Sequence, residues 1–205
     1  MIPARHHWFF TRFFNAYTAL MIRRDFHEVL IEGLWKPDKK GTLVIGNHIS
    51  WWDGFWGLYL NNLFLKKKFH VLMLEEQLTQ RMFLNKAGAF SIRPGTRDMV
   101  KSLEYTRNLL KDNKNMVLFF PQGKIESMSN AEIHFEKGID RIVGKNENTQ
   151  VLFYAAFVDY FSNRKPSLYF YLTEAEKVPS DTEELQSLYA CFYRDACKKQ
   201  RGQKR

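Results

Sequence analysis

The sequence predicts an α/β domain: a single, mostly parallel sheet flanked by helices, with an N-terminal amphipathic helical appendage. Two observations carry this expectation. From residue 41 onward, short β-rich apolar runs alternate with helical stretches, and strands alternating with helices indicate a layered α/β architecture. The chain of 205 residues and 24.4 kDa is long enough to bury one real core and shows no repeat, long linker or low-complexity segment.

The elements follow in order. The first 24 residues hold Trp8, Phe9, Phe10, Phe13, Phe14, Tyr17, Leu20 and Met21 together with Arg5, Arg12, Arg23 and Arg24, and no acid. Positions 10, 13, 14, 17, 20 and 21 recur at helical spacing, giving one aromatic and aliphatic face. With flanking arginines, such a helix either lies in the headgroup region of a bilayer or packs on its own domain. The division expected is an amphipathic, membrane-associating helical segment over residues 1–40 and an α/β domain over 41–205. Strands are predicted at 42–47, 69–74, 89–92, 115–120, 150–157 and 167–173. Helices are predicted at 53–65, 76–86, 97–112 and 181–199. Thr96, after Pro94-Gly95, reads as the N-cap of the third of these helices. Ser180-Asp181-Thr182-Glu183 reads as a capping box for the last.

Composition narrows the partners. The balance of 31 Lys+Arg against 22 Asp+Glu gives a formal charge of +9, which suits nucleic acid, anionic lipid or a phosphorylated substrate. No RNP-like, zinc-finger or helix-turn-helix signature accompanies that charge, so nucleic acid is not an expected partner. The basic run Lys198–Arg205 reads as a solvated tail. Cys191 and Cys197 have no metal-ligand or redox spacing, consistent with a reducing compartment. No apolar run reaches the length of a membrane span, and the start lacks the order of a signal peptide. The expectation is a protein neither secreted nor membrane-spanning. An aromatic content of 16% suits cores, apolar ligand tunnels and membrane interfaces alike.

Chemistry concentrates in three loops that follow candidate strands. In Gly46-Asn47-His48-Ile49-Ser50-Trp51-Trp52-Asp53-Gly54, a histidine and an aspartate stand five positions apart after the apolar run Thr42–Ile45. On one helix they would diverge by roughly 140°, and on one strand they would face opposite sides. They meet only if a strand ends near Asn47 and a new element starts near Asp53. An imidazole oriented by a carboxylate then serves as a general base activating a hydroxyl. Taken alone, the same residues also describe a polar loop in which Asp53 merely caps the next helix. In the second loop, Gly88–Thr96, Arg93 ends a strand before Pro-Gly and can aim its guanidinium at a phosphate or carboxylate; an isolated arginine there equally makes a surface salt bridge. In the third, Phe119–Ser127, Pro121 stops a strand, Gly123 permits close ligand approach and Lys124 supplies a point charge. By itself that Pro-x-Gly is also an ordinary β-turn.

Together the three blocks resemble the glycerolipid acyltransferase family that includes 1-acylglycerol-3-phosphate acyltransferases. Its first motif, typically N-H-x-S-x-x-D, is matched by Asn47, His48, Ser50 and Asp53. Its second, a glycine followed by an aromatic and an arginine, is matched by Gly88, Phe90 and Arg93. Its third, usually F-P-E-G-T-R-S, is matched in part by Phe120-Pro121-Gln122-Gly123-Lys124. The order and spacing of the blocks also fit. The resemblance implies that His48 takes the proton of an acceptor hydroxyl as it attacks an acyl thioester, with Asp53 holding the imidazole tautomer. Backbone N–H groups around Gly123 would form an oxyanion hole, and Arg93, Gln122, Gly123 and Lys124 would bind substrate. The donor implied is acyl-CoA or an acyl-carrier protein as co-substrate, with no resident cofactor and no metal. The acceptor is a lysophospholipid-type lipid, the place of work the cytoplasmic face of an anionic membrane as a peripheral or monotopic protein, and the role phospholipid biosynthesis.

The chain departs from this pattern in the third loop, where Gln122 replaces a glutamate and Ile125 an arginine, and at 150–157, where the family's usual proline is missing. Loss of the arginine removes a bidentate phosphate contact that Lys124 cannot reproduce. A different hydroxylated lipid, such as a lyso-aminolipid, is therefore the alternative acceptor, and a non-catalytic lipid-binding module the alternative class. A metal-dependent hydrolase would need a ligand beyond His48 and Asp53, and neither His70 nor His134 lies in a metal motif.

Overall fold

The computed structural model describes residues 1–36, 38–130, 132–143 and 148–204. Its elements, in chain order, are α1 (Trp8–Asp25), β1 (Val29–Glu32), β2 (Gly41–Gly46), α2 (Asp53–Leu60), β3 (Lys68–Leu74), α3 (Glu75–Gln80), β4 (Ala89–Ile92), α4 (Arg97–Leu109), β5 (Asn115–Phe119), α5 (Asp140–Val143), β6 (Thr149–Asp159), β7 (Ser167–Glu174) and α6 (Thr182–Arg201). The strands form one sheet in the order β1-β7-β6-β2-β5-β3-β4, and only β6 and β7 run antiparallel. The mostly parallel sheet expected from the alternating pattern is the sheet observed.

The central strands are buried on both faces, which is why they read as unbroken apolar runs. Alternate residues feed two cores. Leu43 and Ile45 of β2, Val117 of β5 and Phe153 of β6 join Leu103, Leu185 and Tyr189 on the face covered by α4 and α6. Val44, Leu118 and Tyr154 join Phe14, Ile22 and Trp56 on the face covered by α1 and α2. The result is a three-layer sandwich with β2 fully buried at its centre.

The structure corrects several local expectations. Residues 29–32, expected within the helical appendage, form an edge strand paired parallel with β7 from Val29↔Leu168 to Glu32↔Tyr171. Four partly exposed residues are too few to show a period. The helix predicted over 53–65 is α-helical to Leu60 and then widens to a π turn over Asn61–Leu65, closed by Lys66 in the left-handed region. The stretch 76–86 divides into α3 and a 3₁₀ turn at Leu84–Ala87. Thr96 has N-cap geometry, but its hydroxyl donates back to Arg93 O at 2.9 Å instead of capping α4. At α6 the cap is Asp181, which accepts from Glu184 N at 2.8 Å, while Glu184 accepts from Ser180 N at 2.7 Å, so the capping pair is displaced by one residue from the one expected.

α1 packs one face on the domain and leaves the other uncovered. Phe14, Thr18 and Ile22 are buried, with Phe10, Tyr17 and Met21 partly covered beside them. Trp8, Phe9, Phe13 and Leu20 remain exposed, and Met82 and Phe83 add to the exposed apolar surface. Phe83 stacks on Phe14 at 6.0 Å. Among the described residues, no helix is long and apolar enough to cross a membrane.

Candidate active site

The three loops sit at the carboxyl ends of β2, β4 and β5, the edge where open α/β sheets place their ligands. Asn47, the first residue past β2, is fully buried and bonds the backbone of β6 in both directions: its Nδ2 donates to Ala156 O at 2.9 Å, and its Oδ1 accepts from Ala156 N at 2.8 Å. That lock fixes the direction in which the chain leaves the sheet. Gly46 is needed just before it, since a Cβ there would collide with the Tyr154 ring.

The chain then turns so that the first residue of α2 faces back. Asp53 Oδ2 accepts from Ile49 N at 2.7 Å, from Ser50 N at 2.9 Å and from His48 Nδ1 at 2.9 Å. Asp53 therefore closes the loop and orients the ring, and does not serve as a helix cap. An oxygen already accepting two amides leaves Nδ1 as the donor, so the neutral ring keeps its lone pair on Nε2. Phe120 stacks on the other flank of the imidazole, with centroids 4.3 Å apart and planes at 14°. Asp53 is completely buried, and its Oδ1 has no partner among the described residues. Burial pushes its carboxyl above the usual aspartate range, against the pull of the hydrogen bonds from His48, Ser50 and Ile49.

The loop after β5 braces this unit. Gln122, nearly fully buried, accepts from His48 N at 2.6 Å and donates through Nε2 to Glu126 Oε2 at 2.8 Å. Glu126 N in turn donates to His48 O at 2.8 Å. Both ends of the Gln122 carboxamide are thus engaged by protein. Gly123 takes φ +67°, and its N–H closes a turn onto Phe120 O at 3.2 Å. The amides of Lys124 and Ile125, which follow Gly123, have no hydrogen-bond partner among the described residues. The Lys124 side chain is exposed and pairs with Glu126 at 3.2 Å.

Beside His48 opens a cavity of about 1060 Å³. Its deep walls come from β3, β4 and α2 and are apolar, with Phe69, Val71, Leu72, Leu58 and Ala89 among them. Its mouth carries Lys124, His134 and Lys137. Arg93 stands apart: its neighbours Ile92 and Pro94 line the cavity, whereas its guanidinium pairs with Glu75 at 2.5 Å. Sequence reasoning missed Lys137 because no motif surrounds it, and only folding brings it to the mouth. His70 is buried on β3 with Nδ1 between Lys68 O and Met116 O. Among the described residues, no three histidine, cysteine or carboxylate side chains form a group able to hold a metal ion.

A family model described as Acyltransferase matches residues 7–154. The chain belongs to the acyltransferase family. The matched span includes all three loops. The fold is similar to that of the 1-acyl-sn-glycerophosphate (LPA) acyltransferase PlsC from Thermotoga maritima, with a TM-score of 0.67 and 15% identity over 95% of this chain and 81% of that one. No curated protein sequence matches the chain.

Proposed function

We propose that this acyltransferase moves a fatty acyl group from an acyl thioester, acyl-CoA or an acyl-carrier protein, to the hydroxyl of a lysophospholipid-type acceptor such as 1-acylglycerol-3-phosphate. One observation carries the reading: His48 presents an Nε2 with no partner among the described residues beside a large, mainly apolar cavity, while Asp53 holds Nδ1. Nε2 takes the hydroxyl proton as the oxygen attacks the thioester carbonyl. The new C–O bond forms, the Lys124 and Ile125 amides stabilise the oxyanion, and collapse breaks the C–S bond. His48 returns its proton to the departing thiolate. The hydrocarbon chain in transit occupies the apolar depth of the cavity. The relative named as a 1-acyl-sn-glycerophosphate acyltransferase has the same fold, which supports this choice of acceptor.

The anionic group of the acceptor falls to Lys124 and Lys137 at the mouth, with Arg93 a further cation whose charge is largely taken by Glu75. The weakened anion site favours a second acceptor, a hydroxylated lipid such as a lyso-aminolipid. The same reading places the protein on the cytoplasmic face of an anionic membrane, supported by the exposed stripe Phe9, Phe13 and Leu20 and the arginines of α1. Free-thiol release with long-chain acyl-CoA and acyl-carrier protein, run across an acceptor panel with the lipid product identified by mass spectrometry, tests the proposal. Release that depends on acceptor and loses little with Lys124→Ala on lyso-aminolipids selects the second acceptor. Release with water alone removes the transferase reading.

A further inference from the structure

The loop that carries His48 is a partition between two cavities. His48, Trp51 and Gly54 face the large cavity; Ile49, Ser50 and Trp52 face a second one of about 440 Å³, and Phe55 borders both. The remaining walls of the second cavity are mainly apolar and include Met21 and Ile22 of α1, Val158 of β6 and Pro166. Its wall also holds Thr18, whose buried hydroxyl has no partner among the described residues.

We propose that this second cavity receives the hydrocarbon chain already carried by the acceptor lipid, while the large cavity receives the chain being transferred. The inference rests on the transferase reading above and adds the place of the second substrate. Transfer to a lysolipid brings two chains to one imidazole, and two chains in one slot would exclude each other. With the two chains on opposite sides of the partition, only the acceptor's headgroup has to cross the Ile49-Ser50 stretch to bring its hydroxyl to His48 on the large-cavity side. The route of entry is also present. The inner face of α1 walls the cavity, and its outer stripe of Phe9, Phe13 and Leu20 is exposed, so a chain leaving a bilayer passes around one helix.

The test measures kcat/KM with a fixed palmitoyl thioester against 1-acylglycerol-3-phosphates and matching lyso-aminolipids whose own chain runs from hexanoyl to oleoyl. A reciprocal series varies the donor chain. Wild type should gain up to about fourfold per added methylene until the cavity is full. Met21→Trp in the wall and Met128→Trp at the partly exposed rim should move that limit to shorter acceptors and leave the order of donor chains unchanged. If Met21→Trp does not fold, Met128→Trp decides. Folded variants that keep the wild-type acceptor profile, or that reorder the donors instead, overturn the assignment while leaving the transferase reading intact. A wild type that transfers to no acceptor in the panel overturns both.

Discussion

The backbone amide of His48 donates to the carboxamide oxygen of Gln122 at 2.6 Å, so the loop after β5 holds the general base through its main chain. The other end of that carboxamide meets Glu126, and this bond is the main reason the Glu126 carboxyl lies below its ordinary value. The motif that the third loop resembles has a glutamate where Gln122 stands, and the carboxylate of this loop is Glu126, four residues along and paired with Lys124 at 3.2 Å.

That rearrangement makes Gln122→Glu an informative substitution. The restored glutamate would set two carboxylates against each other where an amide–carboxylate bond now stands. The expected cost is about 1–2 kcal/mol, or roughly 2–8 °C in Tm for a chain of this size. Adding Glu126→Gln should recover most of it, and a thermal-melt double-mutant cycle reads the coupling. A single variant as stable as wild type would mean that the bridge contributes nothing.

His48→Ala should reduce transfer by roughly two to four decades with the fold intact, the usual worth of a positioned general base. Asp53→Asn should cost a comparable factor, about four decades, by releasing the tautomer.

The same Asp53→Asn change should remove a pH dependence of stability. A carboxyl whose folded pKa is raised by burial stabilises the fold while protonated, and loses that contribution as pH climbs through the folded value. The asparagine escapes that loss. Melts across acid to neutral pH should show wild type losing stability relative to Asp53→Asn as pH climbs, and parallel profiles would reverse the sign assigned to burial.

His70 provides a stability change on the acid side. Burial, with the nearby charges of His6 and Lys68, lowers its pKa from 6.5 to about 4, and the His6 ring stands against it at 4.6 Å. The unfolded chain binds the proton first, so stability falls as pH drops from about 6.5 towards about 4. The contribution lost is about 3 kcal/mol at the acid end. His70→Gln, which keeps a donor for the Lys68 and Met116 carbonyls, should flatten urea midpoints across that window. An unchanged slope would assign the loss to other groups.

Phe9, Phe13 and Leu20 are exposed on α1, and replacing all three by serine should lower Tm only slightly, through the ring contacts of Phe13 with Phe14 and Tyr17. Flotation with anionic vesicles should drop sharply, and wild-type flotation should weaken with added salt. Equal flotation of the triple variant would move membrane attachment elsewhere.

The parts legible in the sequence were those in which one physical rule dominates. Central strands such as Leu43–Ile45 and Met116–Phe119 are sealed on both faces, so composition alone reveals them. The separation of His48 from Asp53 demanded a strand–turn–helix, and the structure supplies one. What stayed hidden depends on partners distant in sequence. β1 exists because β7 offers it an edge. The role of Gln122 follows from an amide 74 residues away. The two faces of α1 look alike in the sequence, since Phe13 and Phe14 are neighbours of the same kind and only packing decides which is covered.

The pairing of β1 with β7 also sets an order of assembly. Residues 29–32 leave the ribosome long before residues 168–171, their parallel partners, so the N-terminal edge of the sheet cannot close until nearly the whole chain has been made. During that interval α1 has no finished core to cover, and both of its aromatic faces are open. A nascent chain in that state is prone to aggregate through those faces. Closure of the β1–β7 edge is thus the step that turns the inner aromatic face of α1 from an exposed liability into core.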